Sequence, residues 1–404
     1  MKKSNYTPKP DGQSAEDRAL STFAELMIEK ISNLQSDWKK PWFSPQAAQM
    51  PMNLSGRNYN GMNSVVLMLM QEKNGWQTSR YATFDRIVSM NFTKGKDGKS
   101  VPAVDADGNK LPHVGINKGE KSTPVMLTTF TCVNQETKER IKWEDYKLLS
   151  QEQREKYNVY PKLNVYQVFN VAQTNLKAAR PELYAKLEAE NKPEKALVKE
   201  GDMYSFPAVD RMFKEQRWIC PINIEHQDNA FYSISRNQIT IPEKSQFKDG
   251  ESWYGTAFHE MVHSTGAEDL LNRLKPQSGF GSDEYAREEL VAELGSALVC
   301  QKYGITKNLK EDSAAYLKSW LGSLKESPSF IKTTLMDVKK ATSILTQRID
   351  EVSLEMKEQQ REDVAASVSE ENKEAKDMKQ SASSNDSEQT EAEEEKVARS
   401  AFRR

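Results

Sequence analysis

Cysteine and histidine are scarce in this chain of 404 residues, which holds three of the first and four of the second. Cys132, Cys220 and Cys300 stand far apart, so they form no metal-type pair and cannot build a disulfide framework. They read as small core residues in a reducing compartment. No apolar run approaches the ~20 residues of a membrane span. The opening Met1-Lys2-Lys3-Ser4-Asn5-Tyr6 lacks the hydrophobic core of a secretory signal. No membrane association and a cytoplasmic site of action are therefore expected. Net charge is nearly absent too, at −2, but it hides a division. Residues 1–200 hold 30 Lys+Arg against 23 Asp+Glu, and residues 351–404 hold 9 against 15, so the front is mildly basic and the end acidic. The length suggests two or three domains with ample core.

Two of the four histidines fall in Gly255-Thr256-Ala257-Phe258-His259-Glu260-Met261-Val262-His263-Ser264-Thr265-Gly266. On a helix, a spacing of four puts both imidazoles on one face, one turn apart, where they can share a tetrahedral Zn²⁺. Glu260 is then carried beside the ion, placed to take a proton from water and pass it to a leaving amine, as in a zinc peptidase. The bland alternative is an exposed amphipathic helix that happens to carry two histidines. Phe258, Met261 and Val262 make the segment a half-buried helix, and Gly266 sits where a helix can end in a left-handed turn.

A catalytic ion needs a third protein ligand and one open position. Residues 282–294 read as a helix on which Glu289 and Glu293 share a face among Leu290, Val291 and Leu294. Carboxylates on an apolar face are costly unless something cationic neutralises them. Glu289 is assigned as ligand and Glu293 as the acceptor that orients a histidine ring. Glu288 and Glu293 are the alternative ligands, and a solvated acidic face is the bland reading. One Zn²⁺ per chain is expected, with another divalent ion as the alternative.

Periodicity predicts an amphipathic helix over 14–35 capped by Ser14, another from about Ser64, and a short one opened by Thr83. Residues 93–111 read as a mobile loop rich in Gly, Asp and Lys. Residues 123–133 predict a strand returning as a hairpin through Arg140-Ile141-Lys142-Trp143, and 163–170 another. Strands are also predicted at 220–224, 230–234 and 237–242. The last is an edge strand that could hold an extended peptide beside the metal helix. Helices at 314–324 and 329–349 precede a tail that is disordered or at most partly helical. The fold class is α+β: a domain over 14–185, a charged linker over 186–205, a second domain over 206–349 and an acidic tail over 350–404.

The front domain interleaves rings and cations. Single-stranded nucleic acid is held by bases stacked on aromatic rings while Lys and Arg follow the phosphates. Trp38, Lys39, Lys40, Trp42, Arg57, Tyr59, Trp76, Arg80 and Tyr81 supply both parts. A core with snorkelling lysines is the alternative.

The sequence resembles the ArdC antirestriction proteins of conjugative plasmids and related mobile elements. In the front domain the likeness lies in Pro41-Trp42, residues 53–63, Gly115-Ile116-Asn117-Lys118-Gly119-Glu120-Lys121 and Tyr166-Gln167-Val168-Phe169-Asn170. In the second domain it lies in Ile239-Thr240-Ile241-Pro242, residues 259–266 and residues 288–294. It implies a front domain that binds single-stranded DNA, with Lys118 and Lys121 joining the contacts, and a zincin-like metallopeptidase domain. It also implies that the protein shields incoming DNA from host restriction. A related front domain occurs in plasmid primases, so a replication accessory role is an alternative. A DNA-binding protein whose peptidase fold is catalytically silent is another, set against an active peptidase that cleaves an unidentified protein. Residues 93–111, the lysines at 332, 339 and 340, and the tail depart from the family pattern.

Overall fold

A computed structural model describes residues 14–36, 41–43, 50–95, 97–190, 196–200, 203–274, 282–307, 316–326 and 330–365. Residues 1–347 form one compact unit and 348–404 a second. None of the described helices is long and apolar enough to cross a membrane.

The chain opens with α1 (Ala15–Ser36). Ser14 and Asp17 cap its start reciprocally, each accepting from the other's backbone N–H at 3.0 and 3.1 Å, which satisfies two orphan donors. Its apolar stripe of Phe23, Met27, Ile31 and Leu34 is fully buried. The helix packs on α2 (Met62–Asn74) and on a helix from the far end of the unit, Leu317–Glu326. Contacts therefore cross the boundary expected at residues 186–205.

A five-stranded sheet organises this half. Its strands are β1 (Met52–Asn53), β2 (Arg80–Thr83), β5 (Thr123–Asn134), β6 (Arg140–Ile141) and β7 (Tyr157–Asn170), in the order β1-β2-β7-β5-β6. Only β1 and β2 run parallel. Thr83 caps the short helix α3 (Phe84–Ser89) with its side chain. The expected loop at 93–111 is instead a hairpin, β3 (Phe92–Lys94) with β4 (Ser100–Pro102), followed by a tight turn in which Asp105 accepts from the amides of Asp107 and Asn109. Local Asx hydrogen bonds supply the order that Gly and Lys content concealed. Trp143 does not continue β6. It opens α4 (Trp143–Leu148), which α5 (Gln151–Arg154) follows. The helices α6 (Leu176–Ala179) and α7 (Pro181–Glu190) close this half over a cluster of Ala82, Ile87, Val114, Val171 and Leu176.

Within the stretch expected as a linker, β8 (Val198–Glu200) pairs with β9 (Met203–Ser205). Then come α8 (Pro207–Lys214) and a three-stranded sheet of β10 (Ile222–Glu225), β11 (Phe231–Ser233) and β12 (Gln238–Pro242), in the order β10-β12-β11. β12 is thus central, with β10 parallel on one side and β11 antiparallel on the other. It is not the peptide-accepting edge expected from the sequence; β10 and β11 are the edges. Two helices follow, α9 (Gly250–Ser264) and α10 (Asp283–Lys302). Residues 330–347 are helical in the first unit and 348–365 in the second, which places the beginning of the expected tail in a helix. The rest of that tail, with Trp38, Lys39 and Lys40, lies outside the described residues.

Candidate metal centre

The helix α9 starts where Asp249 accepts from the Ser252 amide at 2.7 Å. It is tied to the sheet by the Trp253 indole, which donates to the Pro242 carbonyl at 2.9 Å. The helix is buried on most of its circumference, not on half, with α10 packed against it as well as β11 and β12. The two helices approach closely at Gly295, where a Cβ would stand 3.0 Å from a Val262 methyl. Gly266 is not in the left-handed region. A Cβ there would meet Leu274 at 2.9 Å and the His263 carbonyl at 3.0 Å, so the position demands room, not a turn.

This packing brings three ligand atoms together. His259 Nε2 and His263 Nε2 are 3.1 Å apart, and the Glu289 oxygens lie 3.5 Å from each of them. Among the described residues, this is the one cluster of His, Cys, Asp and Glu whose ligand atoms all converge. Bonds of about 2.0–2.1 Å to a tetrahedral zinc would set its ligands roughly 3.3–3.4 Å apart. The spacing and the donor types therefore fit a divalent ion. Glu260 is buried on the same helix.

Each ring is supported from behind. His263 Nδ1 lies 3.3 Å from Glu288, whose two oxygens receive Arg273 Nη2 at 2.9 Å and Nε at 3.0 Å. Arg273 also donates to the Val262 carbonyl and to Thr265 Oγ1, closing the end of α9. His259 Nδ1 lies 3.2 Å from Glu293 Oε1, at an angle poorer than a hydrogen bond requires. Glu293 Oε2 accepts from Lys307 Nζ at 2.9 Å and from the Trp42 indole at 3.2 Å. Glu289 thus lies against both Nε2 atoms, Glu293 stands behind His259, and Glu288 meets His263 at Nδ1 instead of Nε2. Sequence reasoning missed Arg273 and Lys307, since neither belongs to a spacing pattern.

Charges balance the buried cluster. Burial pushes the Glu289 carboxyl upward, but the two imidazoles outweigh it and hold Glu289 far below the usual carboxylate range. Burial likewise raises Glu293, and Lys307 and His259 more than reverse it. Burial pulls His263 down, while Glu288 and Glu289 drive it up to about 10. The two Nε2 atoms, 3.1 Å apart, are within hydrogen-bond distance of each other when one of them carries a proton. The raised His263 stabilises the fold fully below its ordinary value of 6.5, and this contribution is lost as pH climbs toward about 10. The depressed carboxylates stabilise above their ordinary 4.5 and lose that contribution as pH falls. The metal-free protein should therefore unfold at a lower temperature at pH 9 than at pH 6. Metal binding should release about one proton and tighten as pH rises between these values. Buffer-dependent calorimetry measures both, and pH-independent binding would contradict the assignment.

Tyr285 lies half-buried beside Glu289. Burial and the Glu289 charge raise its phenol above the ordinary value, so it remains a hydrogen-bond donor at neutral pH. Tyr254 is instead committed elsewhere, donating to Asp210 at 2.6 Å and receiving Lys244 at 3.1 Å.

The rings and cations read as a nucleic-acid surface separate into two sets. Trp42, Arg80 and Tyr81 are buried. Arg80 donates to the carbonyls of Leu187 and Asn53, Tyr81 to that of Leu67, and Trp42 to Glu293, so none offers a free face. Trp42 is therefore no stacking ring. Arg57, Lys118 and Lys121 are exposed, while Tyr59 and Trp76 are half-buried against Tyr81, with ring centroids 6.3 and 6.4 Å from it. Tyr59 and Trp76 pack on a cluster containing Val125 and Val168. From Val125 outward, the pairs Val125–Tyr166, Leu127–Asn164, Thr129–Lys162 and Thr131–Tyr160 share one face of β5 and β7. Tyr160 and Tyr166 are 55% and 42% exposed there. The alternation of Tyr160, Lys162, Asn164 and Tyr166 was the sequence signal for this face.

A helix carrying two histidines and a glutamate, packed against a second helix that brings a carboxylate within 3.5 Å of both rings, is the arrangement expected of a zincin-like domain. Residues 207–335 match the model of a zincin-like metallopeptidase, and residues 17–169 match that of the N-terminal domain of the anti-restriction factor ArdC. The chain is of the ArdC type, with the two domains in that order. It shares the fold of the antirestriction ArdC protein of plasmid R388, at 22% identity. The TM-scores are 0.53 to a metal-free and 0.54 to a Mn(II)-bound crystal structure, each covering 81% of this chain and 98% and 97% of that one. It is also similar to a DNA primase TraC of Escherichia coli, 30% identical over 78% of this chain. The match spans only 19% of that primase.

Proposed function

We propose that this chain is an antirestriction protein of a mobile element that binds single-stranded DNA with its front half, shields transferred DNA from host restriction, and carries a zinc-dependent peptidase centre acting in the cytoplasm. The convergence of His259, His263 and Glu289 at 3.1–3.5 Å beside the buried Glu260 carries the peptidase reading. Three buried, unpaired cysteines accord with the compartment.

His259, His263 and Glu289 would hold a Zn²⁺, which would supply Lewis acidity at a peptide carbonyl. Glu260 takes a proton from the attacking water and returns it to the leaving amine. Tyr285 donates a hydrogen bond to the oxygen that gains negative charge. Glu288 and Glu293 hold the two rings with their Nε2 atoms turned toward Glu289, where an ion would be held. Glu260→Gln should retain metal and lose cleavage of an unfolded protein substrate. Unchanged turnover would remove Glu260 from this role, and no chelator-sensitive cleavage in the native protein would favour a silent peptidase fold.

For DNA, the open face of β5 and β7 supplies rings at Tyr160 and Tyr166 with Lys162 between them, bordered by Tyr59 and Trp76. Arg57, Lys118 and Lys121 are exposed cations of the same half. Stacking is worth about 1–3 kcal/mol per base, so Tyr166→Ala should weaken single-strand binding roughly five- to a hundredfold. Arg57→Ala should reduce the salt slope by about one, as loss of one phosphate contact requires. Equal affinity for duplex and single strand would count against this surface. The likeness to a primase favours the same ligand in a replication setting. A transfer assay with Tyr166→Ala and Glu260→Gln separately separates protection by binding from protection by proteolysis.

A further inference from the structure

Support for the two metal-facing rings is unequal in origin. Behind His263, Glu288 is clamped by Arg273, ten residues along the chain from that histidine. Behind His259, Glu293 is 0% exposed and takes two donors on one oxygen, Lys307 Nζ at 2.9 Å and the indole N–H of Trp42 at 3.2 Å. Trp42 lies in the region matching the ArdC N-terminal domain, whereas His259 and Glu293 lie in the metallopeptidase region. Its seat is specific. The Trp42 amide donates to the Lys307 carbonyl at 3.4 Å, and the ring stands 6.3 Å from that of Trp320. The Trp320 indole in turn donates to the Ala286 carbonyl on α10 at 2.5 Å.

We propose that Trp42 is a positioning residue of the metal centre, acting with Lys307 through Glu293 to hold His259, so that metal affinity and the seating of the N-terminal segment are linked. The inference rests on reading His259, His263 and Glu289 as the metal site. A carboxylate behind a ligating imidazole works by direction. It accepts from Nδ1–H only when its plane is held, and that contact turns the Nε2 lone pair to the ion. Lys307 neutralises Glu293 but is a point charge that a carboxylate can pivot around. The indole N–H is a second donor from a rigid ring, and two donors on Oε2 leave Oε1 facing His259. Linkage is reciprocal, so an ion that fixes His259 also favours the docked state of Trp42.

The test uses the full chain. Trp42→Phe keeps an aromatic ring against Trp320 and removes the N–H. Dissociation constants for Zn²⁺ and Mn²⁺ are measured by chelator competition, with denaturant unfolding of the metal-free proteins alongside. Loss of a partner behind a ligand typically costs 10- to 100-fold in affinity, and about tenfold is expected here, with the metal-free unfolding midpoint little changed. In a Glu293→Gln background, Trp42→Phe should weaken binding no further. Unchanged affinity in the single variant, or an equal loss with Glu293→Gln present, overturns the proposal. Should His259→Ala bind metal as well as the unaltered protein, the metal-site reading falls and this inference with it. A measurement independent of any variant is hydrogen exchange at the Trp42 amide of the native protein. Saturating Zn²⁺ should slow it several-fold, and an unchanged rate would break the link.

Discussion

Alanine at His263 should weaken divalent-metal binding by roughly two to three orders of magnitude while leaving a folded protein. Zinc bound by four protein ligands is worth about 10–16 kcal/mol, so one ligand accounts for roughly 2.5–4 kcal/mol, which is that range in affinity. The fold should survive because Glu288, the carboxylate behind the ring, keeps both hydrogen bonds from Arg273. Glu289 loses one imidazole and keeps the other at 3.5 Å. Titration calorimetry with the chelator-stripped protein reads the effect. A loss smaller than tenfold would mean that the ion does not rest on this ring. Removing the metal from the native protein should leave secondary structure unchanged, since the three proposed ligands sit on α9 and α10, which pack on each other.

Lys307→Met should be the costliest single change to stability, at about 3–5 kcal/mol. Glu293 is wholly enclosed, and without the ammonium its charge would lose the cation that stands 2.9 Å from it. Breaking a buried pair on one side leaves an ion that neither water nor a partner compensates. The pH dependence carries the sign. Without Lys307, the folded-state pKa of Glu293 rises, so the penalty is full above that value and shrinks as pH falls and the carboxyl takes a proton. Adding Glu293→Gln to Lys307→Met should recover much of the loss, because the buried charge goes with its partner. Chemical denaturation at two pH values measures each step, and a loss below 1 kcal/mol would place the pair in a wetter setting than its burial indicates.

The convergence of His259 and His263 was legible in the sequence because it depends on spacing along one helix. His259 and His263 need only the 3.6-residue period, and Glu289 with Glu293 repeats it on α10. Long alternating or periodic stretches such as α1, β5 and β12 were legible for the same reason. What failed depends on contacts between distant parts of the chain. Trp42 and Arg80 have the composition of a nucleic-acid surface, yet packing buries both, and nothing local distinguishes a stacked tryptophan from one that donates to a buried carboxylate. Glu288 stayed open beside Glu289, because the packing of α10 on α9 decides which of two neighbours meets the Nε2 atoms. β12 reads as an edge strand in the sequence because pairing partners are not written in a strand's own residues. Gly266 was expected to turn the chain, whereas close approach of Leu274 is what excludes a side chain there.

Anomalous scattering from crystals of the full chain grown with Zn²⁺ tests the centre most directly. The expected result is one peak per chain within bonding distance of His259 Nε2, His263 Nε2 and a Glu289 oxygen, with Glu288 and Glu293 behind the rings. No peak at full zinc loading, or a peak bonded to Glu288 or Glu293 in place of Glu289, would contradict it.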